Sequence, residues 1–275
     1  MSDFAKMIEK AVAVVQKKTK VKPQIGIILG TGLDALAAEI RNPERVAYAD
    51  VPGFPSHMAT THKAQYVFGS IGGKSVCAMA GRFHKYQGYS MRDITIPVWV
   101  MIRLGIKALI VSNACGGMRE DHRGGDLFII TDHINLMGSN PLTGLDEEDF
   151  GNMFVDMLDP YDKDLAALTE KIAKADGLAP KKGVYVAVEG PNLETRAEYA
   201  WLRSIGADVV GMSTVPEVLV ARQAGVKCLG VACITDRCVP ADLKPVDIAH
   251  IIRTAQEAEP KISRVVKQVI EKMSV

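Results

Sequence analysis

None of the five cysteines, at positions 77, 115, 228, 233 and 238, is paired by Cys-x-x-Cys spacing. That removes the usual sequence signatures of a zinc or thiol-redox site. An odd count with no framework points to a reducing compartment, and Cys77, Cys228 and Cys233 sit in apolar runs where they read as small core residues. The six histidines show no His-x-x-x-His spacing, so no metal is expected. No apolar run approaches the ~20 residues of a membrane-spanning helix, and the opening residues carry no signal-like apolar segment. Blocks of like charge are also missing: 33 Lys and Arg balance 32 Asp and Glu, which argues against a sequence-independent grip on nucleic acid or an anionic membrane. The expectation is a cytoplasmic enzyme or binding protein with at most a local basic site for a small anion.

What is present is regular alternation. With 275 residues, 48% of them hydrophobic and 24% charged, the chain can fill one large core. Phe4, Met7, Ile8, Ala11, Val14 and Val15 predict an amphipathic helix over 3–19, closed by Pro23. The apolar run Ile25 to Leu29 predicts a strand buried on both faces, followed by the turn Gly30-Thr31-Gly32 and a helical period through Leu33, Leu36, Ala37 and Ile40. Residues 50–63 read as a loop, and Gly72-Gly73 between Tyr66–Phe68 and Ser75–Met79 reads as a hairpin. A helix over 93–104, strands over 108–111 and 126–131, and a long irregular stretch over 138–160 follow. In the second half, helices over 164–175, 196–205 and 216–224 separate strands over 183–188, 208–211 and 228–234. A terminal helix runs over 246–273 with an interruption expected at Pro260. Strands separated by helices predict a single α/β domain over 1–275, with a mixed, mostly parallel central sheet flanked by helices.

The polar and glycine-rich residues fall just after predicted strands, the edge where open α/β sheets bind ligands. Gly81-Arg82-Phe83-His84 is the most informative of these stretches. On extended backbone Arg82 and His84 point one way and Phe83 the other. A guanidinium fork and an imidazole aimed at one point suit a tetrahedral oxyanion such as phosphate, although a surface loop of mixed polar residues reads the same way in isolation. Tyr86 shares that face and can pack on a sugar. Gly30 to Ala35 matches G-x-G-x-x-A, a weak dinucleotide signature. Asp50 is the one acid at the right distance, and no convincing strand precedes it, so a glycine turn wrapping one phosphate is preferred.

Seven segments then occur in order: Gly30-Thr31-Gly32-Leu33, the run from Gly81 to Tyr89, Asn113-Ala114-Cys115-Gly116-Gly117, Asp132 to Leu136, Glu189 to Glu198, Gly211 to Glu217, and Ile234-Thr235-Asp236. Together they resemble the trimeric-type purine nucleoside phosphorylases, whose fold the methylthioadenosine phosphorylases share. The resemblance implies reversible phosphorolysis of purine ribo- and deoxyribonucleosides to free purine and the sugar 1-phosphate, with inorganic phosphate as co-substrate and no cofactor. It implies that Thr31, Arg82, His84, Asn113, Ala114 and Ser213 hold phosphate. Tyr86, Met212 and His62 would hold ribose, with Tyr185 and Glu194 lining the base and Asp236 facing its imidazole side. His84, Glu194 and Asp236 carry the catalytic roles. Phe150 resembles an aromatic lent to a neighbouring subunit of a homotrimer, and His250 a histidine for the 5′-hydroxyl, with Asp247 or Ile251 as alternatives at that place. His57, His122 and His133 read as structural or exposed.

Local chemistry offers competing uses for some of these residues. Glu194 suits the third position of a capping box before the next helix, and Ser213 or Thr214 could cap the helix that Pro216 begins. Position 236 departs from the pattern. Phosphorylases of guanosine and inosine carry asparagine there, which can donate to a 6-oxo group, whereas an ionised carboxylate only accepts and suits a 6-amino group. Glu194 suits the N1–H of a 6-oxopurine. The expectation is inosine and guanosine phosphorolysis with adenosine activity, with a 5′-methylthioadenosine or methylthioinosine phosphorylase as the alternative. A non-catalytic purine sensor would keep Glu194 and Asp236 without needing the phosphate residues.

Overall fold

The computed structural model describes residues 1–30, 33–55 and 64–275. Helix α1 (Asp3–Lys18) begins at Ser2, whose hydroxyl accepts from the Ala5 amide at 3.3 Å, and buries Ala5, Ile8, Ala11, Val12 and Val15 on one face. Strands β1 (Ile25–Leu29), β2 (Arg41–Ala47), β3 (Gln65–Ile71) and β4 (Lys74–Ala80) build the first half of the sheet with helix α2 (Met91–Arg103). The turn between β3 and β4 places Gly72 and Gly73 at φ of +56° and +81°, the pair of left-handed conformations that a two-residue hairpin requires. Strands β5 (Ala108–Gly117) and β6 (Leu127–Leu136) and helices α3 (Glu147–Phe150) and α4 (Lys163–Ala175) follow. Strand β7 (Lys181–Val188), helix α5 (Arg196–Ser204), strand β8 (Val209–Gly211), helix α6 (Val215–Gln223), strand β9 (Lys227–Arg237) and helix α7 (Ile248–Lys272) complete the chain.

Nine strands form one mixed sheet in the order β2-β3-β4-β1-β5-β8-β7-β6-β9, and β9 also pairs with β5. The last five strands therefore close into a ring. β1 lies parallel to both β4 and β5, and β5 parallel to β9. Alternate residues of β1 reach opposite cores: Ile28 packs with Trp99, Leu109 and Val111 on one side, Ile25 and Ile27 with Ile110, Val265 and Ile270 on the other. Helices α1, α2 and α6 cover the first side, α4 and α7 the second. Double-sided cover is why these strands are continuously apolar.

Two local expectations fail. The segment after Gly30 forms only a 3₁₀ turn over Asp34–Glu39, and the chain then enters edge strand β2, which the sequence reading leaves unassigned. Six of the seven β2 residues are exposed and only Val46 is buried, so no alternation announces it. Its register shifts between Arg41 and Glu44 around Pro43, with Asn42 at φ +50°, a bulged edge where proline removes no needed ladder bond. Helix α7 is also unbroken at Pro260. Pro260 lies on the solvent side, while Ala258, Ile262, Val265 and Val266 hold the helix to the core.

Candidate active site

The C-terminal ends of β1, β4, β5 and β9 and the segments after β7 and β8 converge on a cavity of about 290 Å³. Gly81 at φ +120° bends the chain as it leaves β4. Phe83 then turns into the core against Tyr48 and Tyr89, while Arg82 and His84 line the cavity, the split that extended backbone predicts.

Arg82 is only 2% exposed. Its Nη1 donates to the Ser112 carbonyl at 3.0 Å and to Ser213 Oγ at 2.8 Å. Its Nε lies 3.0 Å from Glu217 Oε1, an ion-pair contact not aligned as a hydrogen bond. Among the described residues Nη2 has no hydrogen-bond partner. A buried guanidinium nitrogen left unpaired is costly unless a ligand meets it, and an anion is what it would bind. The His84 ring stacks on Tyr86 with centroids 4.7 Å apart and planes 17° apart.

The turn after β1 is set by close packing. The Gly30 amide donates to Ser112 Oγ at 2.9 Å, and that hydroxyl donates to the Ile28 carbonyl at 2.9 Å. A Cβ on Gly30 would lie 2.3 Å from the Ser112 carbonyl oxygen. Thr31, placed on phosphate by the resemblance, and His62, placed on ribose, lie outside the described residues, as does His57.

Asn113, Ala114, Met212 and Ser213 all line the cavity. Asn113 Nδ2 donates to Thr214 Oγ1 at 2.7 Å. Thr214 is fully buried at φ +73°, a strained conformation for a β-branched residue. It stands at the N-cap position of α6 but makes no side-chain cap, so the capping role expected of it is replaced by the contact with Asn113. Met212 is accommodated by Gly190, where a Cβ would lie 2.3 Å from its sulfur.

Glu194, Tyr199, Asp236 and Cys238 line the same cavity. Burial pushes the Glu194 carboxyl up from its ordinary value, opposed by Tyr199. Glu194 is not the capping acid of α5: Thr195 and Glu198 form that box, with the Thr195 amide donating to Glu198 Oε2 at 2.6 Å. Asp236 accepts from Thr235 Oγ1 at 2.8 Å and from Cys238 Sγ at 3.0 Å.

Two expected residues lie off the cavity wall, and Phe150, expected at a neighbouring subunit's site, stands apart from its own chain's cavity. Tyr185 is not on the cavity wall; it is 0% exposed, beneath Gly211, and its hydroxyl accepts from the Ser213 amide at 3.3 Å. The fully buried strand β7 residue thus supports the Ser213 turn, and Tyr199 is the aromatic beside Glu194. His250 is exposed over an outer cleft, and from α7 it is Ile248 and Ile251 that reach the inner cavity; Asp247 caps that helix, accepting from the His250 amide at 3.1 Å. Phe150 packs within its own chain on Phe4 and Trp99, at centroid distances of 5.7 and 4.7 Å, with Arg103 over its ring. Ser112, Tyr199 and Cys238 are residues of the site that the motifs do not contain, and Glu217, the last residue of the matching segment from Gly211, carries no role there although it is an acid among the apolar residues that open α6.

The whole arrangement matches known proteins. The family model described as the phosphorylase superfamily matches residues 24–271. The chain belongs to the phosphorylase superfamily. Within this superfamily it is 48% identical over 263 residues to purine nucleoside phosphorylase 1 of Bacillus subtilis, covering 96% of this chain and 97% of that one. Crystal structures of Schistosoma mansoni purine nucleoside phosphorylase superpose closely. Its inosine complex has a TM-score of 0.92 at 37% identity, covering 98% of this chain and 97% of that one. Its adenosine complex has a TM-score of 0.92 at 37% identity, covering 98% of each chain. Among the described residues no group of three or more His, Cys, Asp or Glu is placed to hold a metal ion, and no helix is long and apolar enough to cross a membrane.

Proposed function

We infer that the protein catalyses reversible phosphorolysis of purine ribo- and deoxyribonucleosides, a pentosyl transfer to inorganic phosphate that yields free purine and the sugar 1-phosphate. The observation that carries this reading is the buried Arg82, whose Nη2 has no hydrogen-bond partner among the described residues, beside Ser213 and His84. Phosphate held there lies beneath the anomeric carbon of a sugar resting on Met212 and Tyr86. As the glycosidic bond breaks, positive charge builds on the sugar, and the anion below both offsets that charge and supplies the nucleophile. No protein nucleophile is required. Glu194 and Asp236 meet the departing base, whose negative charge is relieved by a proton or hydrogen bond at N7. We place Thr31 with the phosphate residues and His62 with the ribose residues on the same reading.

We further propose that residues 1–275 act as one domain in a cytoplasmic homotrimer without cofactor, in which Phe150 borders a neighbouring subunit's site. Phe154 and Leu158 are 89% and 82% exposed in the segment after α3, which favours association. Five free, buried cysteines suit a reducing compartment. Ile248 and Ile251 put apolar groups near the cavity, which supports 5′-methylthio nucleosides as a second substrate class.

The deciding assay is release of free purine from inosine, guanosine, adenosine and 5′-methylthioadenosine with and without phosphate. Phosphorolysis requires release to vanish in phosphate-free buffer. Equal release without phosphate would mean hydrolysis, and no release with it would mean a binding protein.

A further inference from the structure

The turn between β8 and α6 holds a strained residue that is not itself on the cavity wall. The Val215 amide donates to the Ser213 carbonyl at 2.8 Å, which closes a three-residue turn around Thr214. Thr214 sits at its centre with φ +73° and ψ −52°, the rare and strained form of γ-turn. Such strain persists only where the surroundings impose it. Here the neighbouring strands do so. Asn113 on β5 donates from Nδ2 to Thr214 Oγ1 at 2.7 Å. The Tyr185 hydroxyl on β7 accepts from the Ser213 amide at 3.3 Å. Arg82, just past β4, donates from Nη1 to Ser213 Oγ at 2.8 Å. Thr214 is 0% exposed, whereas Ser213 lines the cavity.

The two hydroxyls are thereby oriented. Each has one proton to give and two lone pairs to receive. Thr214 Oγ1 accepts from Asn113, so its own proton turns to Ser213 Oγ, 3.4 Å away. Ser213 Oγ then receives Arg82 on one side and Thr214 on the other, and the direction left to its proton is the cavity. We propose that Thr214 is a positioning residue for phosphate: its hydroxyl, anchored by Asn113, holds the strained turn and aims the Ser213 O–H at the anion. Asn113 serves phosphate through Thr214 rather than by direct contact. This rests on the assignment of the anion to Arg82 and Ser213 made above.

The test measures KM for phosphate in the parent, Thr214→Val and Thr214→Ser, at saturating inosine or adenosine, whichever the parent cleaves faster. Valine keeps the branched shape and removes the hydroxyl; serine keeps the hydroxyl. KM for phosphate should rise about three- to tenfold in Thr214→Val and stay within about twofold of the parent in Thr214→Ser. KM for the nucleoside should be the same in all three. Thr214→Ala makes the same comparison if valine prevents folding. The double variant Asn113→Leu, Thr214→Val should lie within about twofold of Thr214→Val, because two residues acting through one contact do not add. The rise in Tm that phosphate gives should be smaller in Thr214→Val than in the parent and Thr214→Ser. The proposal is overturned by an unchanged KM for phosphate without the hydroxyl, by an equal rise in Thr214→Ser, by a parallel rise in KM for the nucleoside, or by Asn113 and Thr214 effects that multiply. Any of these, in a parent that binds phosphate and releases purine, strikes this proposal alone. A parent whose Tm ignores phosphate and which releases no purine overturns the phosphorolysis reading and this proposal together.

Discussion

Replacing Arg82 by alanine separates two roles of one buried ion pair. Arg82 and Glu217 are 2% and 3% exposed, and Nε lies 3.0 Å from Oε1. Truncating the arginine leaves a carboxylate buried with no counter-charge, which costs about 3–5 kcal/mol. For a chain of this size that is a fall in Tm of at least about 6 °C. It also removes charge-assisted donors from phosphate, each worth about 1.5–3 kcal/mol, so kcat/KM for phosphate should drop by about 100-fold or more. The two effects part in the double variant Arg82→Ala, Glu217→Gln. Neutralising Glu217 removes most of the stability loss and none of the catalytic loss. Thermal unfolding and phosphate-dependent purine release, measured on parent, single and double variants, read the two separately. Retention of more than about a third of the parental kcat/KM for phosphate in Arg82→Ala, or a double variant no more stable than the single one, refutes the assignment.

Asp236→Asn should move preference towards inosine and guanosine, because an amide donates to a 6-oxo group; a three-substrate comparison that shows no shift removes Asp236 from the base edge. Gly30→Ala should destabilise the protein by about 1–3 kcal/mol, since its Cβ meets the Ser112 carbonyl oxygen at 2.3 Å and backbone cannot yield; denaturant midpoints check this. Burial raises the Glu194 pKa, so its acceptor form is populated at higher pH than that of an ordinary glutamate. The kcat/KM for inosine should therefore climb as pH rises through that raised value. Tyr199→Phe deletes the hydrogen bond that lowers it and should shift the limb further towards neutral pH, while Glu194→Gln should flatten it. A pH profile with the limb unmoved in Tyr199→Phe contradicts the contact.

Burial on both faces makes strands β1, β5 and β9 legible as apolar runs, and the polar residues that follow them mark the ligand-binding edge from order alone. Arg82, His84, Asn113, Ala114, Ser213, Glu194 and Asp236 are named by that logic and are brought to one cavity. Edge strand β2 stays hidden because one buried residue in seven makes no pattern. Local sequence also determined the alternation of strands and helices, since hydrophobic periodicity is set within a few residues. The closing of β5 through β9 into a ring, the burial of Tyr185 beneath Gly211, the Glu217 partner of Arg82 and the meeting of Tyr199 with Cys238 were decided only by the tertiary structure. Each joins residues far apart in the chain, and no short-range period or capping preference distinguishes a pocket wall from the layer behind it.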